Sequence, residues 1–104
     1  MRQEILTIKG TKVDQVIKEF YQTFQPSAKL LLAKGKIQVY ILEKYYFRTR
    51  ADVAATLLFE LKDQDTLIIH IVIAGGTDMF GISLGAQNSF LKKLRAFFDK
   101  FSDK

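Results

Sequence analysis

The hydrophobic and polar positions divide the last third of the chain into a strand, a glycine-rich loop and a helix. Residues 67–74 form an apolar run whose one polar side chain is His70, which is typical of a strand covered on both faces. We predict that this strand is the central strand of a sheet and that a helix beginning near Leu84 covers it. The apolar residues of that helix recur at helical spacing and are Phe90, Leu94, Phe97, Phe98 and Phe101.

The first quarter of the chain predicts a strand followed by an amphipathic helix. Residues 4–9 alternate loosely and predict a strand that ends before Gly10. A run of apolar residues at helical spacing then predicts a helix that ends near Pro26, the only proline. That run consists of Val13, Val16, Ile17, Phe20, Tyr21 and Phe24. Residues 27–36 fit either a helical turn or a short strand, with a turn at Lys34–Gly35.

Two more strands complete the predicted sheet. Residues 37–41 alternate isoleucine or valine with other side chains, and a slip at Leu42–Glu43 indicates a bulge. Arg48–Arg50 indicates a hairpin turn, and residues 53–61 alternate regularly. We therefore predict one domain over residues 1–104 with the element order β-α-β-β-β-α. Its fold class is α+β, with an antiparallel sheet and both helices packed on one face.

This sheet is predicted to be apolar on both of its faces. Strand alternation places Leu57 and Ile69 on the face that meets the helices. An exposed apolar patch of several hundred Å² marks an interaction site. We consider three occupants: a second copy of the chain in a homodimer, a partner protein or apolar ligand, and the chain's own residues 27–35. The predicted interface residues on the opposite face are Tyr40, Leu42, Leu58, Ile68, His70 and Val72.

Composition excludes several classes of function. The chain has no cysteine and one histidine, so we expect no disulfide, no thiolate chemistry and no structural zinc site. The longest apolar run is far shorter than the ~20 residues that a membrane helix needs, and the first residues do not resemble a signal peptide. We therefore expect a cytoplasmic protein with no cofactor and no membrane partner. No two carboxylates are spaced as a general acid and base, so we expect binding rather than catalysis.

A glycine-rich loop between the apolar strand and the last helix is the candidate ligand site. Residues 76–83 match the phosphate-binding pattern G-x-x-x-x-G-K-[ST] except that Ile82 occupies the lysine position. Backbone N–H groups at the start of a helix can still hold a small anion. The alternative is that the glycines serve a turn and the entry into the helix. The candidate ligand-binding residues are Gly75, Gly76, Gly81, Ser83 and Gly85.

The positive charge of the chain allows a second kind of site, for nucleic acid. The net charge is +5, from 16 Lys and Arg against 11 Asp and Glu. Arg48 and Arg50 follow three aromatic residues at the predicted hairpin tip, which favours stacking on single-stranded nucleic acid. Lys92 and Lys93 on the last helix add to this basic surface. The alternative is that all four side chains are solvated and keep the domain soluble.

Two resemblances concern the order of the elements. From the first helix onward, the order helix, three strands, helix resembles the double-stranded RNA-binding domain. Members of that family carry basic residues at the start of the last helix, whereas residues 84–88 here are uncharged. The chain also resembles small uncharacterised bacterial domains with a strand-helix-three-strand-helix layout. The shared phrases are Glu43–Arg48, then Gly75-Gly76, then Leu84-Gly85-Ala86 before a helix with Phe90; this resemblance implies the layout and no activity.

Overall fold

The computed structural model describes residues 2–9, 13–46, 51–63, 65–75 and 84–101. These residues form an α+β domain with five strands and two helices, which confirms the predicted fold class and adds one strand. The elements are β1 (Arg2–Lys9), α1 (Val13–Phe24), β2 (Ala28–Leu32), β3 (Ile37–Tyr46), β4 (Ala51–Leu61), β5 (Thr66–Gly75) and α2 (Leu84–Asp99).

The five described strands form one antiparallel sheet in the order β1-β5-β4-β3-β2. Strand β4 is in the middle, and β5, which was predicted to be central, lies between β1 and β4. The strands β2 to β5 follow one another as a meander, because short connections join neighbouring strands. Strand β1 pairs with β5 at the other end of this meander, so β1 and β2 are the two edges of the sheet.

Helix α1 has the predicted bounds, and its end has a local cause. Val13, Val16 and Phe20 are buried on one side of the helix, as the helical spacing of apolar residues requires. After Phe24 the backbone turns left-handed at Gln25, with a φ of 49°. The N–H of Gln25 donates to the Tyr21 carbonyl at 2.9 Å, which closes the last turn. Pro26 then prevents the helix from continuing.

Both helices pack on the same face of the sheet, which we call the inner face. The centre of this layer is Phe20, which is fully buried. Its ring makes edge-to-face contacts with Tyr40, Phe59 and Phe97 and stacks on Phe98. Such ring pairs add about 0.5–1.5 kcal/mol each beyond the area that they bury. Aromatic residues from α1, α2, β3 and β4 therefore hold the two layers together.

The segment after Pro26, which fitted either a helical turn or a strand, is strand β2 followed by a tight turn. The Lys36 N–H donates to the Ala33 carbonyl at 3.1 Å. Ala33, Lys34 and Gly35 have φ values of 51°, 57° and 87°, a left-handed conformation in which glycine is the least strained residue. Because β2 extends the sheet in its own plane, residues 28–32 do not cover either face. Of the three occupants considered for the second face, the chain's own residues 27–35 are therefore not the cover.

Strand β3 pairs with β4 without interruption, from Ile37 opposite Glu60 to Tyr46 opposite Ala51. The predicted bulge at residues 42–43 is therefore wrong. This register places Tyr40 opposite Leu57 and Leu42 opposite Ala55, and directly paired residues of antiparallel strands point to the same face. Tyr40 and Leu42 consequently lie on the inner face, 0% and 3% exposed. Their predicted place on the opposite face is wrong.

The buried hydroxyl of Tyr40 is expected to make the free energy of unfolding fall as the pH rises in the alkaline range. Burial raises the pKa of Tyr40 above its ordinary value of 10.0, and Tyr21 raises it further. The folded state therefore holds the phenol proton more tightly than the unfolded chain, so this stabilisation is complete below about pH 10 and is lost as the pH rises through the folded pKa. We expect Tyr40→Phe to lose free energy of unfolding less steeply above about pH 10, as measured by urea unfolding across pH.

The neighbouring tyrosine provides the control for this experiment. Tyr21→Phe should keep most of the alkaline loss, because Tyr21 is exposed. At neutral pH, Tyr40→Phe should cost about 1 kcal/mol, because the Tyr40 hydroxyl donates to Gln38 Oε1 at 2.6 Å. The same alkaline slope in Tyr40→Phe and the unmutated chain would show that Tyr40 does not carry the effect.

Candidate interaction surface

The face of the sheet opposite the helices, which we call the outer face, follows from the strand register. Directly paired residues share a face, and alternate residues along each strand belong to it. One row runs across all five strands from Ile5 through His70, Leu58 and Val39 to Leu30. The two neighbouring rows are Gln3, Val72, Thr56, Ile41 and Ala28 on one side, and Thr7, Ile68, Glu60, Ile37 and Leu32 on the other.

The outer face is mainly aliphatic and is open to solvent. Both helices pack on the inner face, and no described element packs on the outer one. The edge-strand residues are the most exposed, with Ile5 at 65% and Leu30 at 56%. Leu58 and Val39 in the middle of the sheet are half-buried, as expected for side chains flanked only by their neighbours in the same layer. An antiparallel sheet with one solvated face ordinarily carries polar residues there, and the aliphatic composition of this face departs from that pattern.

One ion pair interrupts the aliphatic surface. His70 Nε2 lies 3.5 Å from Glu60 Oε1, and the two side chains are 38% and 44% exposed. They are diagonal neighbours, because His70 is paired with Leu58 and Glu60 with Ile68. The pair carries no net charge when the histidine is protonated and one negative charge when it is neutral. The net charge of this pair therefore depends on whether one histidine is protonated.

The structure brings four of the six predicted interface residues together. Leu58, Ile68, His70 and Val72 lie side by side on the outer face, whereas Tyr40 and Leu42 are buried beneath the helices. Sequence reasoning missed the residues of β1, β2 and β3 on this face. The run of three leucines at positions 30–32 was the available signal, because successive residues of a strand point to opposite faces and such a run places apolar side chains on both. The missed residues are Ile5, Leu30, Leu32, Ile37, Val39 and Ile41.

The glycine loop falls largely outside the described residues. Gly75 is the last residue of β5, and Gly85 lies in the first turn of α2. Gly76, Gly81 and Ser83 are not among the described residues. Ligand binding by this loop stays a prediction.

Two of the four basic residues proposed to bind nucleic acid are described by the structure, and two are not. Arg48 and Arg50 lie outside the described residues, between strands that pair as far as Tyr46 and Ala51. Lys92 and Lys93 are exposed on α2, in the helical layer and away from the outer face. A hydrogen bond with Lys93, together with burial and charge repulsion, lowers the pKa of Lys44. Nucleic-acid binding stays a prediction.

The described residues also form open grooves on the helical side. A groove of about 710 Å³ between β1 and α2 is lined by Glu4 and Arg95, which form an ion pair at 3.2 Å. A second groove, of about 870 Å³, lies beside Val13 at the start of α1 and is lined by Lys36 and Asp63. Within the described ranges, no three side chains of the metal-binding types come together.

Comparisons with other proteins identify a family and no activity. The model of a protein family described as a family of unknown function matches residues 8–102. No curated protein and no solved structure matches the chain. Within the described part of the chain, neither helix has the length and apolarity needed to cross a membrane.

Proposed function

The chain belongs to DUF6054, a family of unknown function, and we propose that it is a non-enzymatic binding domain that forms a homodimer through its outer face. The observation that supports this proposal is the aliphatic composition of a sheet face that no described element covers. Two outer faces packed together form a sandwich of two sheets, an arrangement in which the facing side chains make a shared core.

The size of the outer face suits a stable dimer. Five strands spaced about 4.8 Å apart, with about 3.3 Å per residue along each strand, present roughly 600 Å². Two such faces bring together roughly 1,200 Å², the lower end of the range for specific protein interfaces. Exposed edge residues such as Ile5 and Leu30 add to this area, because their side chains project from the plane of the sheet. Area permits the dimer, and the affinity depends on how well the two surfaces fit.

The chemistry of the face also suits a second copy of the same chain. A symmetric dimer brings the same patch of both chains together. The central row consists of aliphatic residues around His70, so apolar groups meet apolar groups wherever the axis passes through this row. Each chain carries one acidic side chain, Glu60, and one basic side chain, His70, on this face. Two copies therefore bring together groups of opposite as well as like charge. A protein partner with an apolar surface would meet the same requirements and is the alternative occupant of the outer face.

Nucleic acid is a poorer fit to the outer face. Phosphate contacts require clustered lysine and arginine side chains, and the central three rows of this face contain neither. The basic residues Lys92 and Lys93 belong to the opposite layer of the domain. Binding to nucleic acid would therefore use a different surface and would leave the outer face unexplained.

The molar mass in solution tests the proposal. Light scattering on the purified chain at micromolar concentration should give twice the chain mass of 11.9 kDa. The mass should fall toward one chain on dilution, because the equilibrium between monomer and dimer depends on concentration. A single chain mass at every concentration would contradict self-association and leave a partner protein as the occupant.

A further inference from the structure

We propose that protonation of His70 strengthens the dimer, so that the affinity between two chains rises as the pH falls from about 8 to about 6. This inference rests on the proposed homodimer, because it concerns the charge that the outer face carries into the interface. Histidine is the side chain whose charge ordinarily changes in this range.

The surroundings of the His70–Glu60 pair are apolar. His70 lies between Ile5 on β1 and Leu58 on β4, and Glu60 lies between Ile68 and Ile37. The direct partners of both side chains within the sheet are therefore aliphatic, and Thr7 and Thr56 lie at positions diagonal to His70. An opposing sheet would cover the pair from the remaining side. Water that solvates the two charges in the monomer would be displaced on association.

The other charged groups on this face lie toward its ends. On β1 the nearest is Lys9, which pairs with Thr66 at one end of the sheet. On β3 it is Glu43, which accepts a hydrogen bond from Ser27 Oγ at 2.9 Å. On β4, Asp52 occupies an outer-face position opposite Tyr45, and Lys62 follows the end of the strand two residues after Glu60. The outer-face residues of β2 carry no charge. Among the described residues of the three central rows, His70 and Glu60 are the only titratable groups, so their charge state decides the net charge of these rows.

The sign of the pH dependence follows from the cost of burying charge. With neutral His70, the Glu60 carboxylate enters the interface as a lone negative charge, and a lone buried charge is much more costly than a paired one. With protonated His70, the two side chains enter as a neutral ion pair. The dimer therefore takes up protons as it forms, as many as one for each chain. Uptake of two protons per dimer lowers the dissociation constant by up to about 100-fold per pH unit.

Sedimentation equilibrium at a series of pH values between about 6 and 8 tests this inference. We expect the dissociation constant of the unmutated chain to be at least about 10-fold lower at the acidic end of the series. In Glu60→Gln the sign should reverse, because protonated His70 then enters the interface without a partner. In the double variant His70→Gln and Glu60→Gln, the affinity should not change across the series.

The matched control is Glu43→Gln, which removes a carboxylate from the margin of the same face and should keep the pH dependence of the unmutated chain. A dimer whose affinity is the same at every pH, or whose pH dependence persists in His70→Gln, would overturn this inference and leave the homodimer intact. A monomer at every pH would overturn both. Circular dichroism at each pH tests whether the variants stay folded, so that dissociation of the dimer is distinguished from unfolding.

Discussion

Leu58→Glu is expected to turn the proposed dimer into a folded monomer. Leu58 lies on the middle strand of the sheet, in the row that runs from Ile5 to Leu30. A carboxylate there would be desolvated against the aliphatic residues of the second chain. One unpaired charge in an interface costs about 2–5 kcal/mol, and a symmetric dimer contains two of them. We therefore expect the dissociation constant to rise by roughly 1,000-fold or more, as measured by light scattering.

The fold itself should tolerate this change. Leu58 is half-exposed in the single chain, so the new carboxylate can reach water there. The substitution should then cost the monomer about 1 kcal/mol, through lower β-propensity and lost contact with neighbouring side chains. An unchanged circular dichroism spectrum together with a single chain mass is the expected result.

Leu31→Glu is the matched control for this experiment. Leu31 is more than half exposed and is paired with Gln38, which places it on the opposite side of β2 from the outer face. It undergoes the same substitution in a strand of the same sheet and should remain a dimer. If Leu31→Glu dissociates while Leu58→Glu does not, the chains associate through the β2 edge and not through the outer face.

Of the substitutions proposed for this chain, Phe20→Ala is expected to lower the free energy of unfolding most. Its ring contacts aromatic residues on both helices and two strands, among them Phe59 at 5.0 Å and Phe98 at 5.8 Å between ring centres. Truncation of a buried phenylalanine costs about 3–5 kcal/mol, because transfer energy is lost and a cavity remains. A domain of ordinary stability has only about 5–15 kcal/mol in total. The variant should thus unfold at a much lower urea concentration.

Two choices make this measurement specific. Performing it in the Leu58→Glu chain separates unfolding from dissociation of the proposed dimer, because association adds to apparent stability. Tyr21→Ala is the neighbouring control, since Tyr21 is exposed, and it should cost about 1 kcal/mol or less. Equal losses in the two variants would mean that Phe20 is not the centre of the core.

The sequence predicted correctly those elements whose two faces differ in polarity. Helix α1 has apolar residues on one side and polar residues on the other, and its predicted bounds agree with the structure. Strand β3 has no such contrast: Tyr40 and Leu42 lie on one face, and isoleucine and valine lie on the other. Alternation alone cannot then show which face meets the helices. The pairing with β4 decides it, and this pairing depends on the connection between the two strands.

The candidate surface was predicted in part for a related reason. The apolar character of the second face was visible in β4 and β5, where Leu58 and Val72 alternate with core residues. The contributions of β1 and β2 depend on which strands lie beside them, which is a property of the whole topology. Strand β1 pairs with β5, whose partner residues lie 57 to 71 positions further along the chain. No local pattern in residues 2–9 carries that information.

The pairing of the first strand with the fifth also affects how the chain is synthesised. While a ribosome makes this protein, β1 emerges first and has no strand to bind until Thr66–Gly75 has left the exit tunnel. Helix α2, which completes the aromatic layer, follows later still. Contacts between distant parts of a sequence also slow folding. Ile5, Leu6 and Ile8 of β1 therefore remain without their sheet partners until β5 has been made.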